Sequence, residues 1–540
     1  MLKFLKQYWS EIFLVFFILT AGILRFANIT KLQFFTYDQA RDALFVKRMV
    51  IDRQFRLLGT QTSLPGMYLP PFYFYTIAPI LWLFRLNPAG IDFYSAFIGV
   101  LTIPAIFFIA NRIFGKPAGL FSAGLFAVSP LIVELTRRAW NPNTLPFFIL
   151  ITFYFLYRYY REKKLSDFLL AFGFYGYCLS LHFGAWTLMP LFIFTLFFHL
   201  FKTEKKGKVW GLAGATGLLL FFVSPNILFE LRHRFLLTKQ AKIFFFDGKH
   251  VGPSGNFFEP FISSLIALFT ILISGKIMVG YGAPLEFAGK LKELFSLSQP
   301  ISVVAQKPFS LSFQWWGMAI FALIAVLSVW VVLKKRKEKY FLPLILVWIW
   351  ILWAVFASRM YSGKFFFFYY LFVFPAPVLL FGFLGKLAWE KEYFRPIVMA
   401  VFLSIAAFHL RYTTVFEASW RDFNDLKKVG NIIAQNASDG ELFNIATIQR
   451  DLDRWDRNAV DYRYFAEAYG KKRALDWYPE DYARAQALFV VDETGGQTDV
   501  LKSNIMEIET FKPDKIIGRW EAGKGIIVYK ISKQEDVNRD

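Results

Sequence analysis

The chain has 540 residues, 56% of them hydrophobic and 20% aromatic, with Phe alone at 67. These are the proportions of a membrane protein rather than of an average globular chain. The formal net charge of +21 does not indicate nucleic acid. The cations sit in short loops between apolar segments, as the positive-inside rule expects, and no nucleic-acid motif accompanies them.

Lys3 and Lys6 precede an apolar run from Ile12 to Phe26, and no small-residue cleavage site follows it. The run therefore reads as an uncleaved first span with a cytoplasmic N-terminus. Short basic loops lie at Arg112 to Lys116, Arg158 to Lys164, Lys202 to Lys208, Lys334 to Lys339 and Lys386 to Arg395. Placing all five inside fixes the direction of every span. Glu11 to Ala27 goes out and Phe93 to Ile109 returns, so 28–92 is one large outer loop. Within it Tyr68 to Phe84 is short, aromatic and proline-rich, and reads as an interfacial helix. Gly119 to Val133, Leu145 to Tyr157, Phe168 to Leu181, Trp186 to Leu200 and Val209 to Val223 then alternate. Parity makes Phe258 to Ile277 cross twice or not at all, and a membrane-surface segment is expected. Trp315 to Leu333, Phe341 to Phe356, Phe366 to Leu384 and Pro396 to Leu410 complete about eleven spans. Cys178, the single cysteine, lies in an apolar run, which excludes a disulfide framework and a cysteine-based metal site.

From about Tyr412 the charges become dense. Phe423, Leu426, Val429, Ile432 and Ile433 form one helical face, and Leu442 to Ile448, Ala487 to Val491 and Ile526 to Ile531 read as strands. The expected architecture is thus a mainly α polytopic helix bundle over 1–411 and a small extracytoplasmic α/β domain over 412–540. Asn436-Ala437-Ser438 has the form of a glycosylation sequon and is read as loop chemistry.

The outer loops share a chemistry. The first contains FFTYDQARDALFVKR, Phe34 to Arg48. Thr36 and Gln39 have the spacing of a capping box, so a helix begins near Tyr37 and Asp38 falls in its first turn. The helix dipole favours a carboxylate there, and Arg41 at i+3 is within ion-pair reach. The second loop, SPLIVELTRRAWNPNTLP, carries Glu134, Arg137, Arg138, Trp140, Asn141 and Asn143. Its two arginines run against the positive-inside bias and so require a local reason. The third holds His182 beside Trp186. The fourth, SPNILFELRHRF, holds Glu230, Arg232, His233 and Arg234, and the fifth holds Arg359, Lys364, Tyr369 and Tyr370.

Arg forks and Lys suit phosphate, aromatics and Asn suit sugar faces, and apolar walls suit a lipid tail. A sugar leaving a lipid phosphate needs one base for the incoming hydroxyl and a cationic cradle for the phosphate. Ordinary explanations exist for each residue alone. Asp38 and Arg41 describe a surface ion pair equally well, Arg137 and Arg138 suit lipid headgroups, and Glu230 has an i+4 partner in Arg234. His182 suits a helix end, and Tyr369 and Tyr370 suit an aromatic belt. No carboxylate pair is spaced for glycosidase work, and no metal cluster is legible.

Taken in order, YDQARDALFVKRM, SPLIVELTRRAWNPNTLPFF, LHFGAW, FELRH and FFYYLFVFPAP resemble the polyprenyl-phosphate-sugar-dependent membrane glycosyltransferases of GT-C type. The nearest groups are the protein O-mannosyltransferases, the aminoarabinose transferases that modify lipid A and the Rgt-like lipopolysaccharide sugar transferases. The resemblance covers about Met1 to Leu410. It implies Asp38 as the base toward an acceptor hydroxyl, oriented by Arg41, and inversion at the anomeric carbon. Glu134, Arg137, Arg138, Asn141, His182, Glu230, Arg232, His233, Lys364, Tyr369 and Tyr370 become candidates for holding substrate. The implied partners are a polyprenyl-phosphate sugar, a hydroxyl-bearing acceptor and the bilayer of the cell (inner) membrane. A divalent metal is compatible with the resemblance but not required by it. Three positions depart from the groups: Gln39 where many relatives have Glu, Asn141 where some have Asp, and Leu69-Pro70 where the aminoarabinose group has Lys-Pro. A lipid or polysaccharide transporter and a non-catalytic glycan-binding assembly protein are the rival functions. The chain shows no internal repeat, and its polar residues gather at outer span ends rather than mid-span.

Overall fold

The computed structural model describes residues 2–31, 35–62, 66–247, 257–279, 301–302, 309–334, 340–361, 366–416, 420–450 and 457–533. Helix α1 (Leu2–Phe26) leads into the first loop, which folds as α2 (Tyr37–Val50), a two-stranded ladder between 59 and 69, and α3 (Phe72–Leu83). Then come α4 (Ala89–Phe114), α5 (Lys116–Val128), α6 (Pro130–Thr136), α7 (Leu145–Glu162), α8 (Leu165–Leu179), α9 (Phe183–Trp186), α10 (Met189–Lys202), α11 (Lys205–Arg232) and α12 (Leu236–Lys242). Helix α13 (Phe258–Ser274) precedes a small sheet of β1 (Gly275–Val279), β2 (Ile301–Ser302) and β3 (Phe309–Phe313). The bundle closes with α14 (Trp315–Lys334), α15 (Phe341–Arg359), α16 (Pro375–Trp389) and α17 (Arg395–Arg411).

Each expected span coincides with a helix or a helix pair. Among the described residues seven helices are long and apolar enough to cross a membrane, and α5 with α6 makes an eighth, bent by 67°. Helices α7, α8 and α16 are only 18, 15 and 15 residues long. They are flanked by other helices, so protein rather than lipid surrounds much of their length. The molecule is a multi-pass membrane protein.

The α5–α6 bend has an identifiable cause. Pro130 has no N–H to donate to the Phe126 carbonyl, so the helix ladder breaks there. The guanidinium of Arg25, fully buried in α1, donates to the freed carbonyls of Phe126 and Ala127, both at 3.1 Å, and through Nε to Thr136 at 2.9 Å. Gly99 of α4 makes room for this: a Cβ there would lie 2.9 Å from Arg25 Nε and 2.8 Å from the Thr136 carbonyl. One arginine thereby ties three helices at the level of the second loop.

Helix α13 corrects the expected surface segment, because Ala267 to Ser274 are all buried in the bundle. Two of its hydroxyls bond within the helix: Ser263 and Thr270 donate to the carbonyls of Glu259 and Ile266. Phe257 packs 5.7 Å from Phe356 near the end of α15, and Ser274 Oγ donates at 3.0 Å to the Gln314 carbonyl just before α14. The two ends of α13 are thereby fixed to α15 and to the start of α14.

The segment after α17 contains α18 (Phe423–Asn436), β4 (Phe443–Ile448), α19 (Val460–Ala468), α20 (Pro479–Arg484), β5 (Ala487–Asp492), α21 (Met506–Phe511), β6 (Lys515–Gly523) and β7 (Ile526–Ser532). The sheet order is β4-β5-β7-β6, with β4 and β5 parallel and the other pairs antiparallel. This unit packs directly on the first loop. Phe35 is gripped edge-on by Phe423, Tyr464 and Phe465, with ring centres 5.4, 5.4 and 5.7 Å away. Tyr464 donates to the Leu86 carbonyl at 2.6 Å. Glu467 of α19 accepts from Arg48 twice at 3.0 Å and from Lys47 at 3.2 Å.

Candidate active site

Helix α2 starts at Tyr37 with Thr36 as N-cap, as the spacing predicts. The capping box itself does not form: Thr36 Oγ1 bonds the Gln39 side chain at 3.0 Å instead of a backbone N–H. Asp38 stands in the first turn, and Arg41 Nη1 meets its Oδ1 at 2.9 Å. The sequence places a third charged residue, Asp42, in the same loop but assigns it no role. Asp42 takes the other edge of the guanidinium, accepting from Nε at 3.0 Å and Nη2 at 2.9 Å. Its remaining oxygen accepts from Thr60 Oγ1 at 3.4 Å. Thr60 is delivered by the 59–69 ladder, where Gly59 lets the strands close: a Cβ at 59 would lie 2.5 Å from the Pro70 carbonyl.

Arg41 and Asp42 are buried, whereas the Asp38 side chain is 28% exposed. Burial pushes the Asp42 carboxyl up to about 6 despite Arg41, and the neighbouring Asp38 charge adds to the rise. The Tyr37 ring lies 5.4 Å from the Arg41 guanidinium, and its hydroxyl is hydrogen-bonded to Trp477 of the C-terminal unit. The floor beneath Asp42 is phenolic. Buried Tyr73 of α3 feels the charges of Asp42 and Asp92 and lies beside Tyr94 and Tyr177. Tyr177 donates to Thr76 Oγ1 at 3.0 Å.

The second loop is linked to this group through Asp92, whose charge Tyr73 feels together with that of Asp42. Asp92 accepts the Ala139 N–H at 2.7 Å and acts electrostatically on both Arg137 and Arg138. Arg138 is ion-paired to Glu134, whose other oxygen accepts from Thr414 at 3.4 Å. Arg137 donates to the carbonyls of Ala27 and Arg25. Burial holds Arg137 down at about 10, which still leaves it charged at neutral pH. Asn141 Nδ2 donates to the Leu181 carbonyl at 2.5 Å and so joins the second loop to the third. Among the described residues, Arg137 Nη1, Asn141 Oδ1, Asn143 Oδ1, Thr144 Oγ1 and Ser180 Oγ are buried without a hydrogen-bond partner. An unmet buried polar atom costs about 1–3 kcal/mol, so these atoms of the second and third loops are available to a polar ligand. Asn143 stands among the polar residues that the sequence reading names in the second loop, whereas Thr144 is legible only as part of the loop sequence NPNT.

His182 caps α9, its Nδ1 accepting the Gly184 N–H at 3.0 Å. Burial lowers its pKa to about 4, so the imidazole is neutral at pH 7 and carries its proton on Nε2. The ring lies 5.3 Å from Tyr369, and Trp140 lies 4.5 Å from Phe368. The second, third and fifth loops therefore share an aromatic corner. Tyr370 is turned away from it, fully buried and 2.6 Å from Ser358 Oγ. Lys364 lies outside the described residues.

The fourth loop does not join. Glu230 caps α12, accepting from the N–H groups of Leu237 at 2.6 Å and Thr238 at 2.9 Å. Arg232 and His233 are exposed, with the His233 ring stacked on Phe229 at 3.9 Å. Among the described residues no hydrogen bond or ion pair links them to the Asp38 or Arg137 groups. The donor set for a divalent ion is also lacking. Asp42, Asp92, Glu134 and Glu230 are each engaged as described, and no three His, Cys, Asp or Glu side chains converge among the described residues. No step is therefore routed through a metal.

A model of the dolichyl-phosphate-mannose-protein mannosyltransferase family matches residues 69–229. That interval contains the second and third loops in full. An uncharacterized protein of Aquifex aeolicus is 30% identical over 103 residues, which span 19% of this chain and 21% of that protein. The fold is similar to that of ArnT from Cupriavidus metallidurans bound to undecaprenyl phosphate, at TM-score 0.55 and 13% identity over 97% of this chain and 98% of that one. It is also similar to the oligosaccharyltransferase AglB from Archaeoglobus fulgidus in complex with an inhibitory peptide and a dolichol-phosphate. There the TM-score is 0.53 and the identity 12%, over 90% and 70% of the two chains. The chain thus has the GT-C fold that its motifs imply.

Proposed function

We propose that this protein is a membrane glycosyltransferase that moves a sugar from a polyprenyl-phosphate donor to a hydroxyl acceptor on the outer face of the cell membrane. The acceptor class is a glycolipid, a cell-envelope polysaccharide or a protein. The observation that carries the reading is the state of Asp38: within a charged trio whose other two members are closed, its carboxylate alone stays half-open.

Asp38 takes the proton of the acceptor hydroxyl as that oxygen attacks the anomeric carbon. The bond from that carbon to the phosphate oxygen breaks, and the lipid phosphate leaves with the electron pair. A phosphate leaves without acid assistance, so a single carboxylate suffices, and direct displacement inverts the anomeric centre. Arg41 fixes the orientation of Asp38, and Asp42 with Thr60 fixes that of Arg41. Arg137 and Arg138 supply positive charge for the phosphate. The unpartnered atoms of Asn141, Asn143 and Thr144, with neutral His182 and Tyr369, suit sugar hydroxyls. In this reading 412–540 is an extracytoplasmic domain that covers the first loop. The neighbours solved with undecaprenyl phosphate and a dolichol-phosphate support the donor class.

The test uses the full-length protein in vesicles supplied with undecaprenyl-phosphate sugars and a hydroxyl acceptor, with released lipid phosphate as readout. Release that depends on Asp38 is the expected result. Turnover by Asp38→Asn near the wild-type rate would remove the assignment.

A further inference from the structure

The charges at the end of α11 have a different use. Helix α11 is peripheral: only 11% of its apolar window is buried, so lipid surrounds it. Its end lies at the level of the first loop, since Asn226 Nδ2 donates to the Tyr68 carbonyl at 3.3 Å and Gln240 packs on Gly66. The chain then turns sharply through Arg234 and Phe235, at φ +53° and +59°, and the Glu230 carboxylate holds the start of α12 through two backbone N–H groups. This is a built turn that sets 232–247 at the level of the first loop.

The segment presents two kinds of side chain. Arg232, Arg234, Lys239 and Lys242 are all exposed, and none forms an ion pair among the described residues. Between 231 and 246 the sequence holds no carboxylate, and the single acid of 232–247 is its last residue, Asp247. Beside these cations stand exposed apolar groups: Phe235 at 55%, Ile243 at 49%, Phe245 at 48% and Phe246 at 81%. Exposed phenylalanines at this level seat in the acyl boundary, while arginine and lysine heads remain among the headgroups. Four uncompensated cations beside that anchor are complementary to a negatively charged surface.

We infer that 232–247 is a docking surface for anionic phospholipid headgroups of the leaflet on the α2 side, with the phenylalanines as its anchor. The occupant is bilayer lipid and not the sugar donor.

Full-length protein in vesicles is exposed to phosphatidylglycerol or phosphatidylcholine carrying the same photoactivatable acyl chain, and the labelled peptides are identified. Phosphatidylglycerol should label 232–247 about tenfold more than phosphatidylcholine does. Replacing Arg232, Arg234, Lys239 and Lys242 together by Gln should abolish that excess and leave labelling of the other spans unchanged. Raising the salt concentration should reduce the excess in the unaltered protein, an arm that does not depend on how the variant folds. Equal labelling by the two lipids, or an excess that survives both neutralisation and salt, would overturn the inference. So would displacement of phosphatidylglycerol by stoichiometric undecaprenyl phosphate, which would make the segment part of the donor site.

Discussion

Two charged stretches follow apolar segments on the α2 side of the bundle, YDQARD at 37–42 and FELRHR at 229–234, and they end as opposites. In the first, one arginine is divided between two acids and is sealed beneath the C-terminal unit, with a single carboxylate left half-open. In the second, the only acid is spent on a helix start and the cations face outward. Both contain acids and arginines within one helical turn. What separates them is the cover. Phe35, Lys47 and Arg48 dock the first stretch against α18 and α19, whereas nothing in the described chain covers 232–247. Buried, such charges hold one another in a fixed geometry; exposed, they make a surface.

The contrast can be broken at several points. The largest effect is expected for Asp38→Asn, which should lower sugar transfer by about 10²–10⁴-fold, the usual range for loss of a general base. An unchanged melting temperature measured alongside would show that the loss is chemical. Removing the cover should act on stability: Glu467→Gln leaves two buried cations with a weakened partner and should cost about 3 kcal/mol, seen as a lower denaturation midpoint. Asp42→Asn should reduce turnover by about tenfold, the effect of loosening a hydrogen-bonded positioning pair. Its pH profile sharpens the point. With Asp42 raised to about 6, the carboxylate is protonated below that pH and its hold on Arg41 weakens. Wild-type turnover should therefore fall as pH drops through about 6, and the variant should lose that limb. His182→Ala should cost less, about severalfold for a neutral hydrogen bond, with no new limb between pH 5 and 8 because the ring is already neutral there. The smallest effect is expected for Arg232→Gln, whose turnover in detergent should stay within about twofold of wild type, as for a surface change.

Much of this was legible in the sequence. Apolar runs located the spans, Thr36 fixed the start of α2, and short apolar runs picked out β4, β5 and β7, which are buried almost throughout. Strand β6 was not visible because its residues are largely exposed, its apolar residues are broken up by Gly518, Arg519 and Glu521, and two register shifts interrupt its pairing. The part played by Asp42 depends on Thr60, 18 residues away across a ladder that no local pattern announces. Glu230 and Arg234 have the spacing of a helical ion pair, but α11 stops at Arg232 and the chain turns left-handed at Arg234, so the spacing no longer places them together. Arg25 read as an ordinary basic residue at a span end. Its partners are carbonyls released by a proline more than a hundred residues later, which only the folded chain brings to it.

The docking of α2 against α19 also sets a clock. Lys47 and Arg48 are separated from Glu467 by 420 and 419 residues, so a ribosome inserts nearly the whole bundle before that partner exists. Until then Lys47 has only Asp52, five residues on, and Arg48 still lacks its acids Glu467 and Asp476. N-terminal parts of a chain ordinarily settle first; here α2 is locked only after the bundle that follows it. A nascent protein cut short after α17 would carry Asp38 but not the Glu467 contacts to its helix, so the fixed geometry around Arg41 would be complete only once α19 has been made.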